Sequence, residues 1–268
     1  MIDEILIVSD VDNTLLTVEE GIPDVNITAI KDFTARGGRF TVATGRSVDG
    51  IRRAAIQCGV NCPIVVFNGS AVYDLENEKF IWSTTLHKSF YDDLVYIYEN
   101  TDFAGIFCHT EEGLQVVRVN EYAYKLIEDE KITYELKPLV DVNRNMFKIL
   151  FSLSEENMEK MAAITNKLAN KNVRYARTNK HYYEMIPTTA SKSEALRHLC
   201  KYLGVKADHL CAVGDYFNDE DMLREAAFAG CPKNAPQEIK ELCDVIVADC
   251  RHGAVAEFIR KCEERYNI

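Results

Sequence analysis

Positive charge is what this sequence is short of. Its 268 residues carry 31 Lys and Arg against 42 Asp and Glu, a formal net charge of -11 and a sequence pI of about 5.1. A diffuse negative field disfavours nucleic acid and anionic membrane surfaces as partners. Long apolar runs are missing too, so no segment reads as crossing a bilayer. Asp3 and Glu4 precede only a short apolar run, without the basic region and long apolar region of a secretory signal. Cys-x-x-Cys is absent: Cys58, Cys62, Cys108, Cys200, Cys211, Cys231, Cys243, Cys250 and Cys262 are odd in number and irregular in spacing. That argues against a zinc cluster or a disulfide framework and is expected of reduced thiols, several of them buried, in a cytoplasmic protein. Repeats, low-complexity segments and long linkers are also absent, and nothing marks an obligate protein partner. What remains, at 47% hydrophobic and 27% charged, is an ordinary globular composition large enough for one big domain or two modest ones.

The first eighty or so residues alternate strand and helix signals. Ile5-Leu6-Ile7-Val8 reads as a buried strand, residues 26–36 as a helix closed by Gly37-Gly38, Phe40-Thr41-Val42-Ala43 as a second strand and Ile64-Val65-Val66-Phe67 as a third. Three apolar strands joined through helices argue for a parallel sheet with right-handed crossovers. Val72-Tyr73 and Phe80-Ile81-Trp82 look like a hairpin. From about residue 85 the texture becomes α+β, with expected strands at 105–109, 114–118, 146–153, 173–177 and 182–186 and expected helices at 121–130 and 155–169. After Pro187 the α/β texture returns: Ser191-Lys192-Ser193-Glu194 is a capping-box pattern, 209–213 a strand, 245–247 the last strand and 253–263 a terminal helix. The expected architecture is a Rossmann-like α/β core domain over residues 1–84 and 188–268, interrupted by an α+β domain over residues 85–187.

The polar residues at the ends of these elements are of one chemical kind. Asp10 and Asp12 follow the first strand, where open α/β sheets bind ligands. Two carboxylates at spacing i, i+2 repel each other unless a cation neutralises them or their roles differ. Thr44 and the backbone N–H of Gly45 follow the second strand. Lys192 lies in the first turn of a capped helix, where free N–H groups already favour an anion. Asp215 follows a later strand with Asp219 four residues on; if a helix starts there, that spacing puts both on one face. Together they offer hard oxygen ligands, a hydroxyl, an ammonium and free amides, which suits Mg²⁺ plus a phosphoryl group. In an acidic chain, a bound metal and a Lys or Arg would supply the local positive charge that an anionic substrate requires.

The order Asp-x-Asp-x-Thr, Thr-Gly-Arg, a lone Lys, and Gly-Asp-x-x-Asn-Asp resembles the haloacid dehalogenase-like (HAD) phosphohydrolase superfamily, in particular its Cof-type branch with a C2B cap. The resemblance spans essentially the whole chain. Asn68-Gly69, Lys233-Asn234-Ala235 and Gly253-Ala254-Val255-Ala256 also look like that branch. Two departures are present: Lys192-Ser193 where the branch usually has Lys-Gly, and Pro232-Lys233 where it commonly has Met-Gly. The resemblance implies that Asp10 is the nucleophile and Asp12 the general acid and base. It implies Mg²⁺ bound by Asp10, the backbone carbonyl of Asp12, Asp215 and Asp219. Thr44, Gly45, Lys192 and Asn218 would hold phosphoryl oxygens, with Arg46, Asn68 and Asn234 at the substrate rim. The implied activity is hydrolysis of small phosphorylated metabolites, sugar phosphates first, through an aspartyl-phosphate, with the inserted domain as a lid. A phosphomutase or phosphotransferase on the same scaffold, or a phosphate-binding regulatory protein, are the alternatives; a pure binder has no need for Asp12.

Overall fold

Leu6, Ile7 and Val8 are all fully buried, so the first strand is covered on both faces and reads as an unbroken apolar run. The computed structural model describes every residue except Val18, Lys131, Ile132 and Asn179, and leaves aside the side chains of Lys125, Leu126, Asp129 and Glu130. The chain divides into two compact units, Met1–Trp82 with Ser191–Ile268, and Ser83–Ala190.

The first unit opens with β1 (Leu6–Ser9), α1 (Asp24–Ala35), β2 (Arg39–Val42), α2 (Val48–Cys58), β3 (Ile64–Val66), β4 (Ala71–Asp74) and β5 (Lys79–Ser83). The second unit contributes α3 (Phe90–Asn100), β6 (Gly105–Thr110), β7 (Gly113–Arg118), α4 (Glu121–Glu130), β8 (Tyr134–Leu136), β9 (Met146–Ser152), α5 (Met158–Thr165), β10 (Val173–Arg177) and β11 (Tyr182–Pro187). The first unit then resumes with α6 (Lys192–Leu203), β12 (Leu210–Val213), α7 (Glu220–Glu225), β13 (Phe228–Pro232), α8 (Gln237–Lys240), β14 (Val245–Val247) and α9 (Ala254–Tyr266).

The main sheet of the first unit is parallel throughout, in the order β14-β13-β12-β1-β2, so β1 is central. Leu6 and Val8 face α6, α7 and α8, packing with Leu196, Leu199, Met222, Leu223 and Ile239; burial of such a side chain contributes about 2 kcal/mol. On the opposite face α9 packs on α1 and on β12, β13 and β14. The third expected strand does not join this sheet as a full member. β3 touches it through one parallel bridge, Ala43 to Val65, and pairs antiparallel with β4 in a small β3-β4-β5 sheet. The physical reason lies just after β3: Phe67, Asn68 and Gly69 all take left-handed φ, of 54°, 56° and 85°, which turns the chain straight back into β4. β13 was not expected from sequence. Its Gly230, Cys231 and Pro232 carry little strand signal, yet it is the second strand from the edge.

The second unit is a six-stranded sheet, β10-β11-β9-β6-β7-β8, antiparallel except for the β7–β8 pair. α3 and α5 cover one face through Phe90, Leu94, Ile97, Met158 and Met161. The other face has an apolar half, where Ala123 of α4 meets Phe107, Leu114, Val116 and Leu150, and a buried ion pair, Lys148 Nζ to Glu184 Oε1 at 2.5 Å.

Gly69 decides how closely β3 and α6 approach. A Cβ there would lie 2.1 Å from the backbone oxygen of Ser191. Gly204, at the end of α6, also has positive φ but faces open space. Gly204→Ala should therefore cost only the left-handed penalty, about 1–2 kcal/mol. Gly69→Ala must in addition push α6 away. Thermal unfolding followed by circular dichroism should show a drop in Tm at least twice as large for Gly69→Ala; equal drops would mean that the approach is not constrained.

Candidate active site

Three strand ends at the carboxyl edge of the parallel sheet carry the candidate residues. Asp10 continues β1, its N–H bonding to Val213 O at 2.8 Å. Ala43 N–H bonds to Ser9 O, which puts Thr44 beside Asp10, and Gly214 N–H bonds to Gly230 O just before Asp215. After Asp10 the chain turns sharply: Val11 O accepts the N–H groups of Thr14, Leu15 and Leu16, and Asn13 takes the left-handed conformation that Asn tolerates, at φ 61°.

Charges meet in the buried centre of this edge. Lys192 Nζ lies 2.6 Å from Asp10 Oδ1 and 2.5 Å from Asp219 Oδ1, and the three side chains are 1%, 7% and 0% exposed. Asp215 is 8% exposed and accepts a hydrogen bond from Thr14 Oγ1 at 3.3 Å. Burial, then the neighbouring Asp219, raises the Asp10 carboxyl well above its ordinary value. The same two causes push Asp215 up to about 7. Burial alone would lower the Lys192 ammonium, but Asp10 and Asp219 outweigh it and hold it above its usual range.

Asp219 does not share a helix face with Asp215. It ends the short 3-10 turn Phe217–Asp219, and α7 begins one residue later. Its carboxylate folds back, and Oδ2 accepts the N–H groups of Asp215 and Tyr216 at 3.0 and 3.2 Å. Gly214 makes room for this, since a Cβ there would sit 2.6 Å from Asp219 Cγ. Asp219 thus fixes the Asp215 loop with one oxygen and Lys192 with the other. The helix that carries Lys192 is held at its first turn by Ser191 Oγ, which accepts Glu194 N–H, and by Asp221 Oδ2, which accepts Ser193 N–H at 3.0 Å. The Lys-Ser departure is accommodated there: Ser193 Oγ lies 3.1 Å from Ser191 Oγ.

Asp12 points elsewhere. Its side chain is 43% exposed and is gripped by Arg46, with Nη2 to Oδ1 at 2.6 Å and Nε to Oδ2 at 3.0 Å. Arg46 is braced in turn by Gly50 O, and its N–H donates to Thr44 Oγ1. Asn68 packs over Gly45, where a Cβ would meet Asn68 Oδ1 at 2.7 Å. Asn218 is exposed on the Asp215 loop. Asn234 serves as a tie: its Nδ2 donates to Asn13 O and its Oδ1 accepts Cys250 N–H. Sequence reasoning assigned no role to Thr14 or Asp221. Thr14 was visible as the last letter of Asp-x-Asp-x-Thr; an acid in the first turn of a helix, as Asp221 is, reads as solvated.

Oxygens of Asp10, Asp215 and Asp219 lie within 4.8 Å of one another. Opposite oxygen ligands of a divalent cation are about 4–5 Å apart, so the donor set and its spacing fit such an ion. A model of the haloacid dehalogenase-like hydrolases matches residues 7–259. The chain belongs to that family. It is similar to phosphatase YwpJ of Bacillus subtilis, 25% identical over 280 residues, which cover 95% of this chain and 98% of the relative. It is similar also to 5-amino-6-(5-phospho-D-ribitylamino)uracil phosphatase YwtE of the same organism, at 26% identity covering 93% and 95%. The fold is that of the HAD subclass IIB sugar phosphatase BT4131, with a TM-score of 0.80 at 17% identity, covering 98% of both chains. The chain is thus a phosphatase of the HAD family, and hydrolases of this family generally use a divalent metal.

The raised Asp215 value fixes the sign of a pH effect. Its folded value, about 7, lies above the unfolded 3.8, so its contribution to stability is complete below pH 3.8 and is lost as pH rises through 7. A divalent cation requires the ionised carboxylate and reverses that loss. In thermal shift measurements with MgCl₂, the metal-induced rise in Tm should be small at pH 5.5 and larger at pH 8. Asp215→Asn should raise the metal-free Tm at pH 8 and remove the metal-induced rise; a metal response independent of pH would contradict the burial of this carboxyl.

Proposed function

We propose that this chain is a Mg²⁺-dependent phosphatase of small phosphate monoesters that works through an aspartyl-phosphate on Asp10. The observation that carries the reading is the buried Asp10 carboxylate at the end of the central strand, fixed by Lys192, with Asp12 two residues on in different surroundings. In this reading one carboxylate attacks, while the other, held by Arg46 and half-exposed, meets a leaving group or a water molecule.

In the first step an Asp10 carboxylate oxygen attacks phosphorus in line. The ester bond breaks, and the leaving alkoxide takes a proton from Asp12. In the second step Asp12 takes a proton from water, the hydroxide attacks the acyl-phosphate, and inorganic phosphate leaves with Asp10 regenerated. Lys192, the Thr44 hydroxyl, the Gly45 N–H and Asn218 are assigned to the phosphoryl oxygens. Such fixed donors supply much of the barrier reduction because they need no reorganisation as charge develops. Asp10, the Asp12 backbone carbonyl, Asp215 and Asp219 would hold Mg²⁺, which offsets repulsion between Asp10 and a phosphate dianion. Arg46 is assigned to position Asp12, beyond the rim role expected from sequence, because its Nε and Nη2 both donate to that carboxylate. The unit Ser83–Ala190 is assigned the role of cap. Nine free cysteines support a cytoplasmic setting.

Asp10→Asn should lower kcat for a sugar phosphate by about a thousandfold or more while Tm is kept or raised, since a buried like charge is removed. Release of inorganic phosphate, rather than an isomeric sugar phosphate, separates hydrolysis from mutation. Parental turnover by Asp10→Asn would overturn the nucleophile. Arg46→Ala should lower kcat more than it raises KM and should shift the pH–rate profile, with Arg46→Lys recovering part of both. An unmoved profile would leave Arg46 no part in setting Asp12.

A further inference from the structure

The loop that carries Asp215 and Asp219 also holds two large aromatic rings in water. Tyr216 is 54% exposed and Phe217 48%. Their ring centroids are 5.0 Å apart at an interplanar angle of 73°, an edge-to-face pair that leaves the face of one ring uncovered. Single exposed hydrophobic residues are ordinary, but two adjacent aromatics inside an acidic ligand loop are not explained by folding.

Their orientation is built in. Asp219 Oδ2 accepts the N–H groups of Asp215 and Tyr216, and Asp219 N–H donates to Tyr216 O at 2.9 Å, so the loop backbone is pinned at both ends. Asp215 and Asp219 are both buried, and the three residues between them, Tyr216, Phe217 and Asn218, are exposed. They lie at the carboxyl end of β12, the same sheet edge that presents Asp10 after β1 and Thr44 after β2. The root of the Tyr216 ring is one residue from Asp215, and the Tyr216 N–H is 3.2 Å from a carboxylate of the Asp10 cluster. The rings therefore stem from the loop that supplies two of the three clustered carboxylates, at the sheet edge where a phosphoryl group on Asp10 would sit.

We propose that Tyr216 and Phe217 form a stacking surface for a planar unsaturated ring in the leaving group, and so select ring-bearing phosphate monoesters over plain sugar or polyol phosphates. This rests on the reading of the Asp10 site as a phosphatase centre and narrows its substrate class. Stacking suits such a site because it needs no hydrogen-bond partners from an otherwise acidic rim, and a pinned ring pair loses little freedom on binding.

The test uses uridine 5′-monophosphate and ribose 5-phosphate, which share the reacting phosphate and sugar and differ by the base. The ratio of their kcat/KM values is measured with MgCl₂ for the full chain and for Tyr216→Leu, Phe217→Leu and Tyr216→Phe. The parent ratio should favour the nucleotide about tenfold or more. Each Leu variant should lower the ratio about five- to tenfold through KM, and Tyr216→Phe, which keeps the ring, should retain it. A ratio unchanged within about twofold in both Leu variants overturns the proposal. So does an equal loss on both substrates, which would mean that the rings serve closure or stability instead. Failure of the parent to hydrolyse either compound overturns the phosphatase reading itself.

Discussion

The buried ammonium of Lys192 is the contact on which the rest of the first unit depends. Three carboxylates, Asp10, Asp215 and Asp219, converge within 4.8 Å at the edge of a parallel sheet. Buried like charges at that spacing repel strongly, and one ammonium shared between two of them offsets only part of that repulsion. Much of the surrounding construction holds that ammonium in place. Ser191 and Asp221 cap its helix, Asp219 grips it from the Asp215 loop, and Gly69 lets the backbone of the β3–β4 turn come into contact with Ser191 and Lys192. Gly214 and Gly69 are glycines because a carboxylate and a helix start occupy the space that a Cβ would need.

A site built this way is destabilising until something cationic arrives. Burial and the neighbouring Asp219 raise both the Asp10 and the Asp215 carboxyls, so both hold their protons more tightly in the folded chain than in the unfolded one. Natural proteins keep such arrangements where function requires them, and the large apolar core around β1 offsets the cost. Strain is also held nearby. Phe67, a bulky buried residue, sits at φ 54°, which an ordinary loop would avoid. Its neighbour Asn68 packs on Gly45 and Gly69 packs on α6, so the strained turn is what brings the second strand end and the lysine helix together.

Much of this was legible in the sequence, and the reasons for what was not are specific. β1, β2, β12, α6 and the antiparallel pairs of the second unit announce themselves by apolar runs, caps and alternation. β13 does not, because its strand character comes from its neighbours β12 and β14 rather than from Gly-Cys-Pro. β3 has the composition of a sheet member, but a left-handed turn after it, invisible to periodicity, redirects its pairing. α3 and β8 fall in a stretch where Tyr and charged residues blur both periods. At the site, spacing misplaced Asp219: i, i+4 suggests a helix face, whereas the carboxylate caps its own loop. Asn234 was expected at a substrate rim because it lies in a motif; both ends of its amide are used to tie loop backbones together.

The two carboxylates after β1 show how position alone separates environments. In an extended chain, residues i and i+2 share a side, and Asp10 and Asp12 would compete for one environment. The tight turn through Val11 O prevents this. Val11 buries its side chain, Asp10 stays in the charge cluster, and Asp12 is carried out to the rim, where its partner is a guanidinium rather than an ammonium. An ammonium buried between two acids fixes Asp10 in place, because the lysine cannot leave without exposing bare charge. A guanidinium at a half-open rim holds a carboxylate in a defined plane and can release it to solvent at little cost, since exposed pairs are weak. In the mechanism proposed above, the group that gives up and regains a proton in successive steps has the second kind of partner. The attacking carboxylate of that mechanism has the first.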